Sequence, residues 1–241
     1  MLQPADTSSE LRLQEKLRQR HARLTEMLGT LYTLFQSLRL GRERSGAMDF
    51  DSIETRIVFG KDRKIREIVP VVRNDAHRLI EECMLCANVA AADLLENAKL
   101  PALYRIHEGP NQDKLDTLRD FLSEMGLYLG GGDKPTTGDY QTVLQQIAER
   151  PDRHLLQTQL IRSMVQAVYS PENCGHFGLN FSKYTHFTSP IRRYPDLLVH
   201  RAIRFLVHNR KSVSLKAHPE QKTVSRADVY PYEFAELDRL G

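Results

Sequence analysis

Apolar side chains recur at helical spacing through the first forty residues, and this periodicity constrains the fold more than any other feature of the sequence. The residues that share this face are Leu13, Leu17, Leu24, Met27, Leu28, Leu31, Leu34, Phe35 and Leu38. Thr7 and Glu10 precede them at the spacing of a capping box. The pattern therefore predicts one long helix within residues 1–45, ended by Gly41 and Gly46, with a basic opposite face that is solvated or binds an acidic partner.

Shorter periodic segments follow this helix. The predicted elements, in chain order, are a hairpin over 53–71, a helix over 75–99, a strand over 103–107, helices over 111–126, 137–149 and 153–169, a loop over 209–229 and a helix over 230–241. Together they predict an α+β fold that is mostly helical with a small antiparallel sheet. The chain opens on a bare helix and stops in the first turns of another, so we expect a partial domain.

Composition excludes several classes of protein. Hydrophobic residues make up 41% and charged residues 27%, which is not the composition of a disordered chain. No apolar run approaches the roughly 18 residues of a membrane helix, and no signal peptide is visible at the start. Three cysteines are typical of a reducing, cytoplasmic location. The net charge of +3 does not by itself identify a nucleic-acid binder.

The densest motif lies at 184–201 and carries a helix-start signal. Ser189 is a favourable cap, and Pro190 is favourable at the first helical position. We therefore expect Arg192 and Arg193 in the first turn of a helix, where free backbone N–H groups already favour an anion. Because each guanidinium can hold a phosphate through two hydrogen bonds, the pattern indicates a phosphate-binding site.

Aromatic residues flank these arginines. His186, Phe187 and Tyr194 are of the types that stack on bases or ribose in single-stranded RNA sites. The alternative is a capped helix whose arginines pair with Asp196 or with other carboxylates. Both interpretations are open at this point.

Three separated motifs resemble one family. They are His-Phe-Thr-Ser-Pro-Ile-Arg-Arg-Tyr-Pro-Asp over 186–196, Arg-Asn-Asp-Ala-His-Arg-Leu-Ile-Glu-Glu-Cys-Met over 73–84 and Pro-Glu-Asn-Cys-Gly-His-Phe-Gly-Leu over 171–179. In order and spacing they resemble the RNB catalytic domain of RNase II-type 3′→5′ exoribonucleases, and in detail its RNase R branch. The resemblance runs from about residue 10 to 208. It implies a partial RNB domain over 1–241, with its core portion at 50–208.

The resemblance also implies roles for individual residues. Arg192 is similar to the catalytic arginine that contacts the scissile phosphate. Glu81 matches a carboxylate that lines the RNA path near the 3′ end, and Phe50 matches an aromatic that stacks on the terminal bases. Ordinary core packing for Phe50 and a plain surface carboxylate for Glu81 are the alternatives. Ser189, Arg193, His186 and Tyr194 complete the expected RNA-binding set.

The family's metal-binding aspartates have no counterpart in this sequence. The resemblance implies two-metal hydrolysis with Mg²⁺ held by an Asp-x5-Asp-x-Asp-Asp cluster, and the chain has none. Asp49 and Asp51 flank Phe50, with Glu54 close by, but alternating carboxylates at a strand start usually face water. We therefore expect no metal ligands in this chain.

Two hypotheses of function follow. The first is a fragment, inactive by itself, of a processive, Mg²⁺-dependent exoribonuclease that releases nucleoside 5′-monophosphates. Its partners would be the 3′ end of single-stranded RNA and the remainder of the RNB domain with cold-shock and S1 domains, without a membrane. The alternative is a non-catalytic RNA-binding or regulatory remnant. Aspartates encoded upstream of Met1 would favour the enzyme.

Overall fold

The computed structural model describes residues 8–48, 50, 55–71, 73–209 and 225–241. Its helices are α1 (Ser8–Arg20), α2 (Ala22–Ser45), α3 (Asp75–Asn97), α4 (Gln112–Glu124), α5 (Thr137–Ile147), α6 (Arg153–Ser163), α7 (Tyr194–Asn209), α8 (Arg226–Val229) and α9 (Phe234–Leu240). Its strands are β1 (Thr55–Phe59), β2 (Ile65–Pro70), β3 (Tyr104–Ile106) and β4 (Val168–Ser170). The predicted α+β, mostly helical fold is confirmed.

The chain divides into two compact units. The first unit comprises Met1–Arg44 and Asp51–Cys83, and the second unit comprises Ser45–Phe50 and Met84–Gly241. None of the described helices has the length and apolar composition needed to cross a membrane.

The first predicted helix is interrupted at His21, so the prediction of a single helix is wrong. The Leu24 N–H bonds to the carbonyl of His21, three residues back, at 2.8 Å. An α-helix joins residues four apart, so the backbone turns more tightly here. No glycine or proline marks this break in the sequence. Helix α2 then continues through Gly41 and ends at Ser45, immediately before Gly46, whose φ of +83° ends the helix. Thr7, the predicted cap, lies outside the described residues.

The hairpin prediction is confirmed. Strands β1 and β2 pair antiparallel, with Ile57 opposite Ile68. The turn places Arg63 in the left-handed region at φ 59°, and the Gly60 N–H closes it on the Lys64 carbonyl at 2.8 Å. The apolar side chains of both strands are largely exposed.

Helices α4, α5 and α6 of the second unit enclose its first core cluster. The Asn111 side chain caps α4, and Thr136 and Asp139 form a capping box on α5. The buried residues of this cluster are Met48, Leu115, Leu118, Leu122, Leu129, Tyr140, Val143, Leu144, Ile147, Leu156, Leu160 and Met164. Because these apolar positions recur along each helix, the bounds of α4 and α5 could be predicted to within two residues.

The helix predicted over 153–169 is too long. Helix α6 ends at Ser163, Met164 has an extended backbone, and strand β4 pairs antiparallel with β3, placing Arg105 opposite Tyr169. The partner strand decides this conformation, because Val168 and Tyr169 suit a strand once a neighbour supplies the backbone hydrogen bonds. The predicted small sheet is therefore two separate two-stranded ladders.

A second core cluster joins α7, α3 and the end of the described chain. Its buried members are Ala91, Leu95, Leu100, Ala102, Leu103, Leu198, Val199, Ala202, Tyr230 and Leu237. The fully buried Tyr230 donates its hydroxyl hydrogen to the Pro101 carbonyl at 2.8 Å. Within the predicted loop 209–229, residues 210–224 lie outside the described part, and 226–229 form the short helix α8. The segment 225–241 thus completes the core beneath α7.

Candidate nucleic-acid interface

The motif at 184–201 forms a turn followed by a helix, and the helix starts later than predicted. The Ser189 carbonyl accepts the backbone N–H groups of Arg192 at 3.2 Å and Arg193 at 3.1 Å, and α7 begins only at Tyr194. Pro195 is the reason. In a helix that began at Ser189, Pro195 would lie in the interior, where it has no backbone N–H to donate and its ring clashes with the preceding turn. In the first turn of a helix, proline is tolerated. The arginines therefore lie before the helix and not in its first turn.

A buried carboxylate fixes this turn. Asp196 is fully buried, and its Oδ1 accepts the Ser189 N–H at 2.7 Å. Arg193 donates Nε to Oδ2 and Nη2 to Oδ1, both at 2.8 Å, which is a bidentate ion pair. We call this arrangement the Asp196 clamp. The alternative in which an arginine pairs with Asp196 therefore applies to Arg193.

Arg192 has a different environment. Its side chain is exposed and makes no hydrogen bond or ion pair with the part of the chain that the structure describes. The neighbouring Ile191 is 99% exposed. Arg192 can therefore meet an anion without first breaking an internal ion pair.

Tyr194 borders the turn and is 49% exposed. Its hydroxyl lies 3.0 Å from the Tyr232 hydroxyl, and this hydrogen bond raises the pKa of Tyr194. Tyr232 also accepts Arg201 Nη1 at 3.0 Å. The sequence does not indicate that Tyr232 and Arg201 support Tyr194. Tyr232 lies 38 positions after Tyr194 and 31 after Arg201, and no local pattern joins residues so far apart.

His186 is half-buried and packs against other aromatic side chains. Its Nδ1 lies 2.6 Å from the Tyr169 hydroxyl, and its ring meets the Tyr184 ring edge-on. Burial, with a smaller effect of the Arg193 charge, lowers the pKa of His186 to about 4. The imidazole is therefore neutral near pH 7 and contributes no positive charge to a phosphate. Base stacking by His186 stays a prediction.

Asn88 on α3 anchors the motif and was missed as a site residue. Its Nδ2 donates to the Tyr184 hydroxyl at 2.8 Å, and its Oδ1 accepts the Phe187 N–H at 3.0 Å. The available signal was a buried amide in the apolar stripe of α3, since such a group requires hydrogen-bond partners.

The motif at 171–179 is held by His107. Its Nδ1 accepts the Gly178 N–H and its Nε2 bonds to the Val165 carbonyl, both at 2.8 Å. These partners require the neutral tautomer with hydrogen on Nε2. A Cβ on Gly178 would lie 2.9 Å from His107 Nδ1, so this close approach requires glycine. In the structure, this motif therefore docks a loop beside strand β3.

Phe50 and Glu81 lie in different surroundings. Phe50 is partly buried and packs against the first core cluster. Glu81 belongs to the first unit, where it forms a half-exposed ion pair with Arg73. The neighbouring Glu82 is buried and pairs with Arg42 at 2.9 Å. The RNA-binding roles of Phe50 and Glu81 stay predictions.

The described residues do not fit a metal site. They contain no group of three or more His, Cys, Asp or Glu side chains that could hold an ion. Asp49, Asp51 and Glu54 lie outside the described part of the chain. Consequently, no chemical step on a metal can be derived from these residues.

Comparison with known proteins gives a consistent result. The RNB domain family profile matches residues 5–209. The chain is similar to Ribonuclease R of Vibrio cholerae, with 49% identity over 94% of this chain and 27% of the relative, and to that of Escherichia coli, with 45% identity over the same shares. It also resembles the structure of Mycoplasma genitalium RNase R in complex with ribose methylated single-stranded RNA, with TM-score 0.71 and 28% identity over 88% of this chain and 30% of that one. The chain thus spans about a quarter of the length of these curated relatives.

Proposed function

The chain belongs to the RNB domain family, and we propose on that premise that it is part of a processive 3′→5′ exoribonuclease. The longer protein would hydrolyse RNA phosphodiester bonds to nucleoside 5′-monophosphates. The family match and the similarity to proteins named Ribonuclease R support this reaction. The similar structure of Mycoplasma genitalium RNase R in complex with ribose methylated single-stranded RNA supports RNA as the partner.

The observation that carries the proposal is the contrast between two adjacent arginines. Arg193 is paired with Asp196, whereas Arg192 is exposed and has no partner among the described residues. Hydrolysis adds negative charge to the phosphoryl oxygens as the transition state forms. A guanidinium placed beside them stabilises that charge through two parallel hydrogen bonds. We assign this catalytic role to Arg192.

The flanking residues would bind the RNA strand. Tyr194 exposes half of its surface next to Arg192 and offers a ring for stacking. Ser189 and Arg193 support the turn through their hydrogen bonds to Asp196. His186, which bonds to the Tyr169 hydroxyl, keeps its predicted role of stacking on a base. Phe50 would stack on terminal bases and Glu81 would line the RNA path, as the resemblance implies.

Mg²⁺ is the cofactor that the family resemblance implies. Since the described residues contain no metal-binding group, we propose that residues outside them hold the ions in the longer protein. The same resemblance implies cold-shock and S1 domains there. We place the protein in the cytoplasm, because the sequence contains only three cysteines and a chain with few cysteines is typical of a reducing compartment.

Single-turnover cleavage tests the role of Arg192. In a longer protein that carries this chain with its metal-binding residues, Arg192→Ala should lower the cleavage rate of a 5′-labelled oligoribonucleotide by about 10²–10³. Arg192→Lys should not restore the rate, because an ammonium cannot form the bidentate contact. A rate for Arg192→Ala within threefold of the unsubstituted protein would contradict the assignment.

The second candidate is a non-catalytic RNA-binding protein, which the absence of a metal-binding group among the described residues favours. The 241-residue chain, incubated with labelled RNA in Mg²⁺ and in EDTA, should degrade none in either. Mg²⁺-dependent ladders would reveal a metal site outside the described residues. A longer protein that binds single-stranded RNA and fails to cleave it in Mg²⁺ would establish the non-catalytic function.

A further inference from the structure

The Asp196 carboxylate uses both of its oxygens on one short turn. Oδ1 accepts from the Ser189 backbone and from Arg193 Nη2, and Oδ2 accepts from Arg193 Nε. A fully buried carboxylate is costly unless its charge is paired and its lone pairs are used. Both conditions are met here by groups within seven residues, which makes the arrangement a local clamp.

The clamp closes the turn from both ends. Ser189 donates its N–H to Asp196, while its carbonyl accepts the N–H groups of Arg192 and Arg193. Asp196 itself lies in the first turn of α7, which packs on the second core cluster. The turn is thereby attached to a rigid helix, and the backbone of Arg192 is fixed through the Ser189 carbonyl.

The clamp also selects which arginine is available. Asp196 binds the guanidinium of Arg193 and leaves Arg192 exposed. Without the carboxylate, two adjacent guanidinium groups would stand unpaired on a loosened turn. An arginine that is already placed loses less conformational freedom when a phosphate binds, and this raises affinity without any new contact.

We infer that Asp196 is a positioning residue: its buried carboxylate holds the turn Ser189–Arg193 so that Arg192 is presented to a phosphate of the RNA. The inference rests on the proposed function, because it concerns the contact assigned to Arg192. Asp196 itself touches no RNA in this account. Arg193, which the motif predicts as an RNA contact, acts instead as the partner that anchors the turn.

A double-mutant cycle on RNA affinity tests the inference. The 241-residue chain, Arg192→Ala, Asp196→Asn and the double variant are titrated into a 5′-fluorescein-labelled single-stranded oligoribonucleotide at low salt. The loss of one charged hydrogen-bonded contact in Arg192→Ala should weaken binding about tenfold. Asp196→Asn should weaken it by about three- to tenfold in the unsubstituted background and by less than about twofold beside Arg192→Ala.

A merely structural role gives a different pattern. If Asp196 only stabilised the fold, Asp196→Asn would lower the thermal unfolding midpoint and weaken RNA binding equally with and without Arg192. Equal effects in the two backgrounds, or a folded Asp196→Asn with unchanged affinity, would overturn the inference. If the unsubstituted chain fails to bind RNA, or Arg192→Ala binds as tightly as it, the inference is overturned, because Arg192 then makes no phosphate contact for Asp196 to position. The reaction proposed for the longer protein is tested separately by the single-turnover cleavage rate.

Two further variants complete the experiment. Arg193→Lys keeps the charge and removes the bidentate contact with Asp196. If Asp196→Asn does not fold, this variant replaces it, and its effect on RNA affinity should likewise be smaller beside Arg192→Ala. Asp152→Asn is the matched control, because Asp152 forms an equally bidentate pair with Arg150, at 2.9 Å for both bonds, in the turn before α6. Asp152→Asn should leave RNA affinity unchanged. A loss of affinity there equal to that of Asp196→Asn would contradict a specific role for the clamp.

Discussion

The two units of this chain bury their apolar residues to very different extents. In the second unit, three clusters of buried side chains form around α3–α7 and β3. Among the described residues of the first unit, Phe35 is the buried hydrophobic side chain, while Leu24, Met27 and Leu28 of α2 are exposed. A leucine periodicity of this kind usually indicates a buried helix face, but in α2 this face is exposed. Periodicity establishes that a helix forms, and only its neighbours determine whether that face is covered.

An open apolar groove in the first unit shows the same contrast. It has a volume of about 480 Å³ and is lined by side chains of α1, α2 and the start of α3, among them Leu17, Leu28 and Leu79. By comparison, Asp196 and Tyr140 in the second unit are fully buried and hydrogen-bonded. The second unit holds the candidate RNA contacts around Arg192 on a packed core, which is the support that a precise phosphate contact requires.

The largest expected effect is the difference in stability between truncating a buried leucine of the second unit and an exposed leucine of the first unit. Leu156→Ala, at a fully buried position, should lower the free energy of unfolding by about 2–5 kcal/mol, because it leaves a cavity. Leu24→Ala, at a position 45% exposed, should change it by no more than about 0.5 kcal/mol. Urea unfolding of both variants followed by circular dichroism checks the pair. Equal losses would show that α2 is covered in solution.

The second largest expected effect is a loss of stability of the second unit as the pH is lowered. Burial, with smaller contributions from His107 and Arg105, lowers the pKa of His176 to about 4. In the unfolded chain this group would titrate near 6.5, so between these values the unfolded state binds the extra proton and stability falls as the pH is lowered. Over this window we expect a loss of roughly 2 kcal/mol, discounted for partial exposure.

The matched variant for this titration is His176→Asn, whose amide oxygen can replace Nδ1 as the acceptor for the Leu179 N–H. Its urea midpoint should vary less between pH 6.5 and pH 4 than that of the unsubstituted chain. An identical pH dependence would mean that His176 is protonated in the folded state.

The smallest effect concerns two glycines. A Cβ on Gly29, in α2, would meet no atom within 4 Å, so Gly29→Ala should stabilise the chain by about 0.5–1 kcal/mol through helix propensity. Gly178→Ala should instead destabilise it by about 1 kcal/mol, because its methyl group would press against His107. Thermal unfolding midpoints give both signs. A destabilising Gly29→Ala would indicate that another group packs against this face of α2.

The site illustrates how far residue patterns reach. The motif at 186–196 identified Arg192, and the alternative pairing with Asp196 was already visible in the spacing of the two residues. The predicted helix start is wrong because Ser189 and Pro190 alone signal it, whereas Pro195, five residues after Pro190, is excluded from a helix interior and tolerated in a first turn. Both prolines are in the sequence, so the later helix start is itself predictable from local residues.

Other features could not be predicted. Asn88 bonds to the Phe187 backbone across 99 positions, and His107 bonds to Gly178 across 71. The strand at 168–170 exists because β3 lies beside it, although its own residues fit the end of a helix equally well. The residue pattern of one segment does not indicate which distant segment will contact it.

The sequence by itself determined the helices, the hairpin, the family and the arginine pair, because caps, turns and periodic faces depend on residues only a few positions apart. The tertiary structure decided which arginine is bound by Asp196, where helix α6 gives way to strand β4, and which leucine faces are covered. The choice of arginine depends on the burial of the Asp196 carboxylate, because a buried charge requires a charged partner. The covered leucine faces depend on neighbours that lie far away in the chain.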